Sequence, residues 1–412
     1  MTQGQARSRY LFLLAVRWFP VGLWTPLVVL LPLDRGLTLT QAGLAASLQG
    51  FVVLALELPT GGLSDSWGRR PVLVLSAAVA VASTALLVFA DTFAMFALVY
   101  VMQGVYRALD SGPLDAWYID ATLDADPDAK LERGLGHGAT VIGLSIAVGA
   151  LTTGAVVAWV RTPGVPTLVQ PLLIGLITQL VGLVALVLLV TEPARPRGGL
   201  LLASLRDVPR VIADGVRLVR GSRVLLALLL VELSWGFGMV TFEKLMAVRL
   251  SEVVGGLEKA ASLASPAAAA AWFASAAGAA LVPPVTARIG IGVTAVLLRV
   301  LQGVTVVGMG LLAGPAGVIA GYLATYLVHG ASNPVHNTLL HREVTGDLRS
   351  TVASMNSMVG QPGFAVGAIL LTALASGVST GFAIVVGAVV LALAAPLYLP
   401  AVRAERRRSV AV

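Results

Sequence analysis

The sequence predicts an all-α membrane protein of twelve transmembrane helices arranged as two six-helix halves. Three observations lead to this prediction. Hydrophobic residues make up 57% of the 412 residues and charged residues only 12%, whereas a soluble protein carries roughly 25% charged residues. The apolar residues are gathered in twelve long runs. One long polar link, residues 191–223, separates six of these runs from the other six.

Each of the twelve runs is long enough to cross a bilayer, which takes roughly 20 mostly apolar residues. The runs are residues 10–31, 40–60, 71–90, 93–117, 135–159, 168–190, 224–246, 264–284, 291–312, 316–338, 352–375 and 379–400. The first run is too long for the apolar part of a cleavable signal, which has roughly 7–15 residues. We therefore expect it to be the first span.

The placement of Lys and Arg predicts the orientation. With a cytoplasmic N-terminus, 20 of the 28 Lys and Arg residues fall in cytoplasmic segments, five fall on the opposite side and three lie within spans. Cytoplasmic loops carry the excess of positive charge in membrane proteins, so we expect both termini in the cytoplasm. The Ala- and Arg-rich, Lys-poor composition further suggests a bacterial plasma membrane.

The expected domains are an N-terminal half at 1–190, a cytoplasmic link at 191–223 and a C-terminal half at 224–412. Apolar residues recur at helical spacing in the link, which predicts an amphipathic helix at the membrane surface. These residues are Leu201, Leu205, Val208, Ile212, Val216 and Val219. A plain linker is the alternative.

A short polar stretch between the second and third runs carries the charges Asp65, Arg69 and Arg70 at a membrane edge. We expect Pro59 and the glycine pair at 61–62 to end the second helix, and Pro71 to lie in the first turn of the third. The charges can form a conformational latch with other groups at this edge.

In this hypothesis Asp65 accepts hydrogen bonds from amides at the start of span 11, near Ser350 and Thr351. Arg69 pairs with Asp120, at the end of span 4. We expect both contacts to favour the state that is closed on the cytoplasmic side.

The stretch resembles the loop 2–3 signature of the major facilitator superfamily, G-x-L-a-D-r-x-G-R-k-x-v-l. The agreeing residues are Gly61, Leu63, Asp65, Gly68, Arg69, Arg70, Val72 and Leu73, while Ser66 stands where an Arg is usual. Residues 103–112 partly resemble the span 4 motif of the family through Arg107, and residues 57–61 resemble exporters. Span 5 has no proline, so the antiporter motif of that span is not met.

The resemblance implies a monomeric secondary transporter that works by alternating access, with its site near the midplane and lined by spans 1, 4, 7 and 10. It also implies a small-molecule substrate and a lipid bilayer around the protein. A second, degenerate copy of the loop follows the eighth run. Aligning Gly290 with Gly68 puts Ala287 at the position of Asp65.

Charged residues inside spans are costly and usually functional. Arg17, Asp110 and Glu232 lie at nearly one depth, roughly 10–12 Å from the cytoplasmic edge. Glu232 has no cation within two turns of its own helix. We therefore predict that Glu232 loads and releases a proton, whereas Asp110 holds Arg17 or Arg107. If Arg17 leans towards Glu232 instead, these two proton-coupling candidates exchange roles.

Two polar stripes run along spans 4 and 10. The first holds Tyr100, Gln103, Arg107 and Asp110, and the second holds Tyr322, Tyr326, His329, Asn333 and His336. The predicted substrate-binding residues are Arg17, Gln103, Arg107, Tyr322, Tyr326, His329 and Asn333. The alternatives are an intrahelical ion pair between Arg107 and Asp110, and a hydrogen-bonded seam between helices for span 10.

Several functions are excluded by the sequence. None of the three lysines follows a glycine as in a phosphate-binding loop, so an ATP-driven pump on this chain is excluded. No metalloprotease or serine-hydrolase motif appears, and we expect no enzyme activity, cofactor, metal or nucleic-acid partner.

We predict proton-coupled export of a small amphipathic or cationic molecule. The first alternative is uptake of a sugar, metabolite or organic anion, with Arg17 and Arg107 holding the negative group. The second alternative is a non-transporting membrane receptor or scaffold.

Overall fold

The computed structural model describes residues 1–127, 129–192, 213, 217–344 and 348–410. Inside helices it leaves out some side chains, namely those of residues 58, 61, 62, 64–66, 132, 348–351 and 408–410. All the regular secondary structure in the described part is helical. Most of the predicted surface helix of the link, residues 201–216, lies outside the described residues.

The first half of the chain contains eight helices in its described residues. They are α1 (Gln3–Trp24), α2 (Leu27–Asp34), α3 (Leu39–Trp67), α4 (Arg69–Phe89), α5 (Phe93–Asp110), α6 (Pro113–Leu123), α7 (Leu131–Trp159) and α8 (Gln170–Leu189). Helices α1 and α2 meet at a 45° bend and together form the first span. Helices α5 and α6 cover the predicted fourth span.

From residue 223 onward, the described residues form nine further helices and two irregular turns. They are α9 (Arg223–Val240), a π-helical turn (Thr241–Leu245), α10 (Met246–Val254), α11 (Leu257–Ala280), α12 (Val282–Ile289), α13 (Ile291–Leu311), α14 (Gly314–Arg342), α15 (Leu348–Gly377), α16 (Thr380–Leu393), a 3₁₀ turn (Ala395–Tyr398) and α17 (Leu399–Val410). Helix α9, the π turn and α10 form one span.

The predicted number of spans agrees with these helices. Within the described residues, nine helical stretches are long and apolar enough to cross a membrane, and the bent α1–α2 pair makes ten. Helices α5 and α14 complete the twelve. They have the length, but the polar stripes on spans 4 and 10 lower their hydropathy.

The second helix ends later than the sequence suggested. Helix α3 runs through Pro59 and both glycines to Trp67, and α4 begins at Arg69, so the expected ten-residue link is reduced to Gly68. A proline removes only one hydrogen bond of a helix. The hydroxyl of Thr60 lies 2.8 Å from the carbonyl of Leu56 in its own helix and 3.0 Å from that of Ala108 on α5, so this turn also contacts α5.

The fourth span is broken, which the sequence analysis did not predict. Helix α5 ends at Asp110, and Gly112 adopts a left-handed conformation with φ 93°. Pro113 is the first residue of α6. A left-handed glycine followed by proline stops one helix and starts the next, so Asp110 lies at a helix end rather than inside a helix.

The chain forms two compact units. The first comprises Met1–Gly36, Val52–Val208 and Ala261–Ala269, and the second comprises Leu37–Phe51, Pro209–Ala260 and Ala270–Val412. The start of α3 belongs to the second unit because Gly43 and Gly50 lie against the backbone of α15 at Ala368 and Gln361. Glycine allows such close approach between helices in lipid.

Each unit has its own apolar core. In the first unit the cluster includes Tyr10, Leu13, Leu73 and Trp117. In the second unit it brings together residues of α9, α14 and the 3₁₀ turn, among them Leu228, Val231, Val335, Leu339 and Tyr398. Large apolar side chains on the outside, such as Phe89 and Leu188, are 72% and 69% exposed, as expected for surfaces that face lipid.

Candidate functional site

The arginines of the loop signature are held within the first unit. Arg69 forms an ion pair with Asp120 on α6 and donates to the carbonyl of Ala116. Arg70 donates to the carbonyl of Val187 at the end of α8, at 2.8 Å. The pair between Arg69 and Asp120, one of the two hypothesised latch contacts, is therefore internal to the first unit and does not itself require the second.

The other hypothesised latch contact lies outside the described residues. The backbone of residues 61–66 is helical, but the side chains of Gly61 and Asp65 are not described, nor are those of Ser350 and Thr351. The contact between Asp65 and the start of α15 thus remains a hypothesis.

A glutamate caps the start of the helix after each copy of the loop. Gly68 has φ 93° and ψ 160°, and the amide of Arg70 donates to Glu192 at 3.1 Å. Gly290 has φ 80° and ψ 157°, and the amides of Ile291 and Gly292 donate to Glu405 at 3.3 and 2.9 Å. A carboxylate at a helix N-terminus is stabilising. The two aligned glycines thus have the same conformation and the same type of partner.

The first unit contains an ion pair at the end of α5. Arg17 on α1 pairs with the carboxylate of Asp110 and also donates to its carbonyl at 3.3 Å. The hydroxyl of Ser76 on α4 donates to the same carboxylate at 3.1 Å. The side chains of Arg17 and Asp110 are only 15% and 13% exposed. They line a cleft together with Tyr106 and Gln179, so the charges are neutralised away from water.

Arg107 does not share in this pair. Its side chain is exposed, and among the described residues it has no ion pair or hydrogen bond. Gln103, one turn earlier on α5, is half-buried. The intrahelical Arg107–Asp110 pair, one of the alternatives, does not form in the described structure, because Arg17 takes the carboxylate.

Glu232 lies in a buried polar network of the second unit. Its carboxylate is 3.8 Å from Nε2 of His336 and is hydrogen-bonded to Asn356. The same His336 nitrogen is 3.1 Å from Oδ1 of Asn356, while Nδ1 is 2.9 Å from the hydroxyl of Tyr398. That hydroxyl accepts from Arg299 on α13 at 3.4 Å. The network therefore joins five elements of the unit.

The hydrogen bonds of this network have one consistent direction. Arg299 can only donate, so the hydroxyl of Tyr398 donates onward to Nδ1 of His336. Nε2–H of His336 then donates to Oδ1 of Asn356, which leaves the amide of Asn356 to donate to Glu232. This assignment follows from the donor inventory. This series of hydrogen bonds starts at the buried guanidinium of Arg299 and ends at the carboxylate of Glu232.

The second polar stripe is divided between two environments. His336 belongs to the Glu232 network. Tyr322, Tyr326 and His329 pack instead with aromatic residues near the π turn, and the hydroxyl of Tyr326 donates to Glu243. Asn333 is exposed and lies 3.4 Å from Nε2 of His329. The polar residues of span 10 therefore do not all line a cavity, and they do not all form one hydrogen-bonded contact between helices.

Sequence reasoning missed several residues of these clusters. They are Ser76, Glu192, Trp235, Phe242, Glu243, Arg299, Asn356, Tyr398 and Glu405. Arg299 and Glu243 carried a usable signal, because a charge within an apolar run is costly. The others are common residue types whose partners lie on different helices, so the sequence offered no signal for them.

The comparisons with known proteins agree with this architecture. Residues 10–368 match the profile of the Major Facilitator Superfamily. A search of curated sequences finds no match. Among solved structures, a variant of the nucleoside transporter NupG has a TM-score of 0.78 at 12% identity, covering 96% of this chain and 99% of that one.

A second solved structure is that of a bacterial homologue of the human lysosomal transporter Spinster. It has a TM-score of 0.70 at 16% identity and covers 97% of both chains. These likenesses show the fold, and the profile match spans most of the chain. The chain therefore belongs to the major facilitator superfamily, as a secondary transporter that works by alternating access and not as an enzyme.

Proposed function

We propose that this transporter couples proton movement to the export of a small amphipathic or cationic molecule. The observation that carries the proposal is the Glu232 network. A carboxylate within a span that is 16% exposed, lies 3.8 Å from His336 and is hydrogen-bonded to the neutral amide of Asn356 is the arrangement expected of a proton-binding group in a transporter.

The hydrogen bonds explain how Glu232 can respond to a proton. The ionised carboxylate accepts from Asn356, whose oxygen is already engaged by His336. A protonated Glu232 gains an O–H donor that needs an acceptor, whereas the ionised carboxylate only accepts, and the oxygen of Asn356 keeps one lone pair for it beside the bond from His336. Binding a proton therefore changes the contacts of α15 with α9 and α14. That is the kind of local change that can bias a transport cycle.

Asp110 is the weaker candidate for proton binding. It is paired with Arg17 and bonded to Ser76, and a nearby cation favours the charged form of a carboxylate. We propose that the pair neutralises these two charges of the first unit inside the membrane and responds to substrate charge.

The direction of transport is proposed on residues 57–61, which resemble exporters. One observation favours the alternative, uptake of an organic anion. Arg107 is exposed within a span and has no partner among the described residues, so its guanidinium is available to a carboxylate or phosphate group. Arg17 is less available for this role because Asp110 holds it.

Proteoliposomes test the proposal with a ligand found by thermal-shift screening against drugs and metabolites. Glu232→Gln should abolish flux driven by a proton gradient but keep counterflow, because exchange needs no net proton movement. Glu252→Gln is the matched control. Glu252 lies on the same span but accepts from Thr380, away from the network, so both activities should remain.

Three results would contradict parts of this proposal. Normal gradient-driven flux in Glu232→Gln would remove Glu232 from the coupling role. Ligand uptake along an inward proton gradient would reverse the proposed direction. Saturable binding without any flux would favour a receptor or scaffold.

The remaining parts of the proposal concern the oligomeric state, the membrane, the domain organisation and the orientation of the protein. We place it as a monomer in a bacterial plasma membrane, with two six-helix halves at 1–190 and 224–412 and both termini in the cytoplasm. The Lys and Arg distribution supports the orientation. Asp65 is proposed to stabilise the state that is closed on the cytoplasmic side, by accepting from amides at the start of α15.

A further inference from the structure

An aromatic cluster with one acidic residue surrounds the π turn of the second unit. It contains Trp235 from α9, Phe242 and Glu243 from the π turn, and Tyr322, Tyr326 and His329 from α14. The rings of Trp235 and His329 stack with centroids 5.5 Å apart, and Tyr326 lies edge-on to three neighbouring rings at 4.9–5.9 Å. We call these six residues the aromatic cluster.

The π turn itself marks this place as unusual. Residues Thr241–Leu245 interrupt an otherwise regular span with one wider turn. Such turns are rare and occur frequently at functional sites. Here the wider turn carries Glu243, and the hydroxyl of Tyr326 fixes the carboxylate by donating to it.

The carboxylate of Glu243 lies within a span, next to Lys244 in the chain. Among the described side chains it forms no ion pair. The ammonium group of the next residue, Lys244, lies 6.0 Å from the ring centroid of Phe364, which belongs to α15 and not to the cluster. A carboxylate within a span is costly without a partner, so the cluster has room for an external positive charge.

Two polar atoms of the cluster are also without partners. Nε1 of Trp235 and Nδ1 of His329 are buried and have no hydrogen bond within the described residues. Buried polar atoms of this kind are normally satisfied. The side chains of Trp235, Glu243 and His329 are half-buried, whereas those of Tyr322 and Phe242 are 2% and 1% exposed. A ligand would thus meet the first three and rest on the rings behind them.

We infer that the aromatic cluster binds an organic cation, a quaternary ammonium or protonated amine that carries an apolar or aromatic group. Ring faces attract such cations, most strongly where water is excluded, and Glu243 supplies the counter-charge. The inference names the substrate class of the proposed transporter and rests on that proposal for its biological meaning. The binding itself is testable without transport.

Two probes test the inference, phenyltrimethylammonium and the bulkier tetraphenylphosphonium. Tetraphenylborate, an anion of the same shape as the second probe, is the charge control. Displaceable binding is measured on the full chain, purified in detergent at neutral pH. We expect saturable binding of at least one cation by the wild-type protein, and no binding of the anion that depends on Glu243.

The variants are Glu243→Gln and Trp235→Leu, and each should weaken cation binding about tenfold or more. Each has a matched control that changes the same residue type outside the cluster. Glu252→Gln lies in α10 and Trp272→Leu in α11, where the tryptophan is 38% exposed. Both controls should bind like the wild type, and thermal unfolding of every variant identifies any that fail to fold.

A variant that does not fold is replaced by a milder one at the same cluster, Tyr326→Phe, which removes only the hydroxyl that orients Glu243. Its cation affinity should also fall. The inference is overturned if neither cation binds saturably to the folded wild type, or if the folded cluster variants keep wild-type affinity.

The same assay separates this inference from the coupling role of Glu232. Glu232→Gln should bind the cation like the wild type, because Glu232 lies in the other network. If that variant also keeps its gradient-driven flux, the proposed coupling fails while the binding site stands. If cation binding is absent but gradient-driven flux of another ligand is normal, the binding site fails and the transport proposal stands.

Discussion

At the scale of single residues, the ion pair between Arg17 and Asp110 gives the first prediction. Asp110→Asn leaves a largely buried guanidinium unpaired, which typically costs about 3–5 kcal/mol. We expect a large fall in the thermal unfolding midpoint and weaker ligand binding. Ser76→Ala is the control. It removes one hydrogen bond from the same carboxylate and should cost only about 1 kcal/mol.

The double substitution Arg17→Met with Asp110→Leu separates the cost of an unpaired buried charge from the cost of lost side-chain packing. It removes both charges and should regain much of the stability that Asp110→Asn loses. Equal and small shifts for Asp110→Asn and Ser76→Ala would show that the pair contributes little.

The hydroxyl of Tyr398 gives a second prediction. Tyr398→Phe leaves Arg299 and Nδ1 of His336 without their shared partner, so we expect a loss of about 1–3 kcal/mol in stability and a changed pH profile of gradient-driven flux. Tyr100→Phe is the comparison. It also removes a buried hydroxyl, but one that donates only to the carbonyl of Val28, at 2.6 Å. Its pH profile should not change, and an equal change in both variants would argue against a coupling role for Tyr398.

The sequence allowed Arg17 and Asp110 to be placed near each other because depth along a span can be counted from its ends. Residue counting cannot give rotation about a helix axis or the choice of neighbouring helix. This is why the partners of Glu232 were missed. Asn356 and His336 approach it from α15 and α14, and Tyr398 joins the network through His336; only tertiary packing decides these contacts.

At the scale of elements, the two glycine junctions give a third prediction. Gly68 and Gly290 both combine a positive φ with ψ near 160°, a region that is essentially restricted to glycine, so alanine is strained at either position by roughly 1–3 kcal/mol. A Cβ at Gly68 would also lie 2.8 Å from Oε2 of Glu192, whereas one at Gly290 would lie 3.6 Å from Glu405. We expect Gly68→Ala to lower the unfolding midpoint more than Gly290→Ala does.

Gly36→Ala is the control that measures backbone strain without a contact of the added Cβ. Gly36 has φ 84°, and nothing lies within 4 Å of an added Cβ. It should lose stability through its positive φ alone. If all three variants lose the same stability, the contact with Glu192 adds nothing to the strain.

The ends of elements were predicted less well than their existence. Long apolar runs identify spans because the bilayer demands them, and all twelve are helices. Helix α3 continues past Pro59, where Thr60 contacts α5, and local sequence does not show such a contact. The break before Pro113 was readable from Ser111-Gly112-Pro113 but was overlooked within an apolar run, and the π turn carries no local signal that we recognise.

At the scale of the whole molecule, the distribution of charge is the strongest source of prediction. Only 12% of residues are charged. A charged residue inside a span is therefore easy to identify as a functional candidate, and the Lys and Arg residues outside the spans predict the orientation of the chain in the membrane. The described structure contains both kinds. Arg17, Asp110, Glu232 and Arg299 are held in largely buried polar groups, while Arg69 and Arg70 lie at the junction of α3 and α4.

The orientation gives the last prediction, and the chain suits its test because it contains no cysteine. Single cysteines at Asp126 and Arg406 should be protected from a membrane-impermeant maleimide in intact cells, since both positions are predicted to be cytoplasmic. Cysteines at Thr162 and Glu258 should be labelled, since these exposed positions lie on the opposite side. Permeabilised cells should label all four. The reverse pattern in intact cells would place both termini outside, against the excess of Lys and Arg. A mixed pattern within either pair would contradict the even number of spans between its two positions.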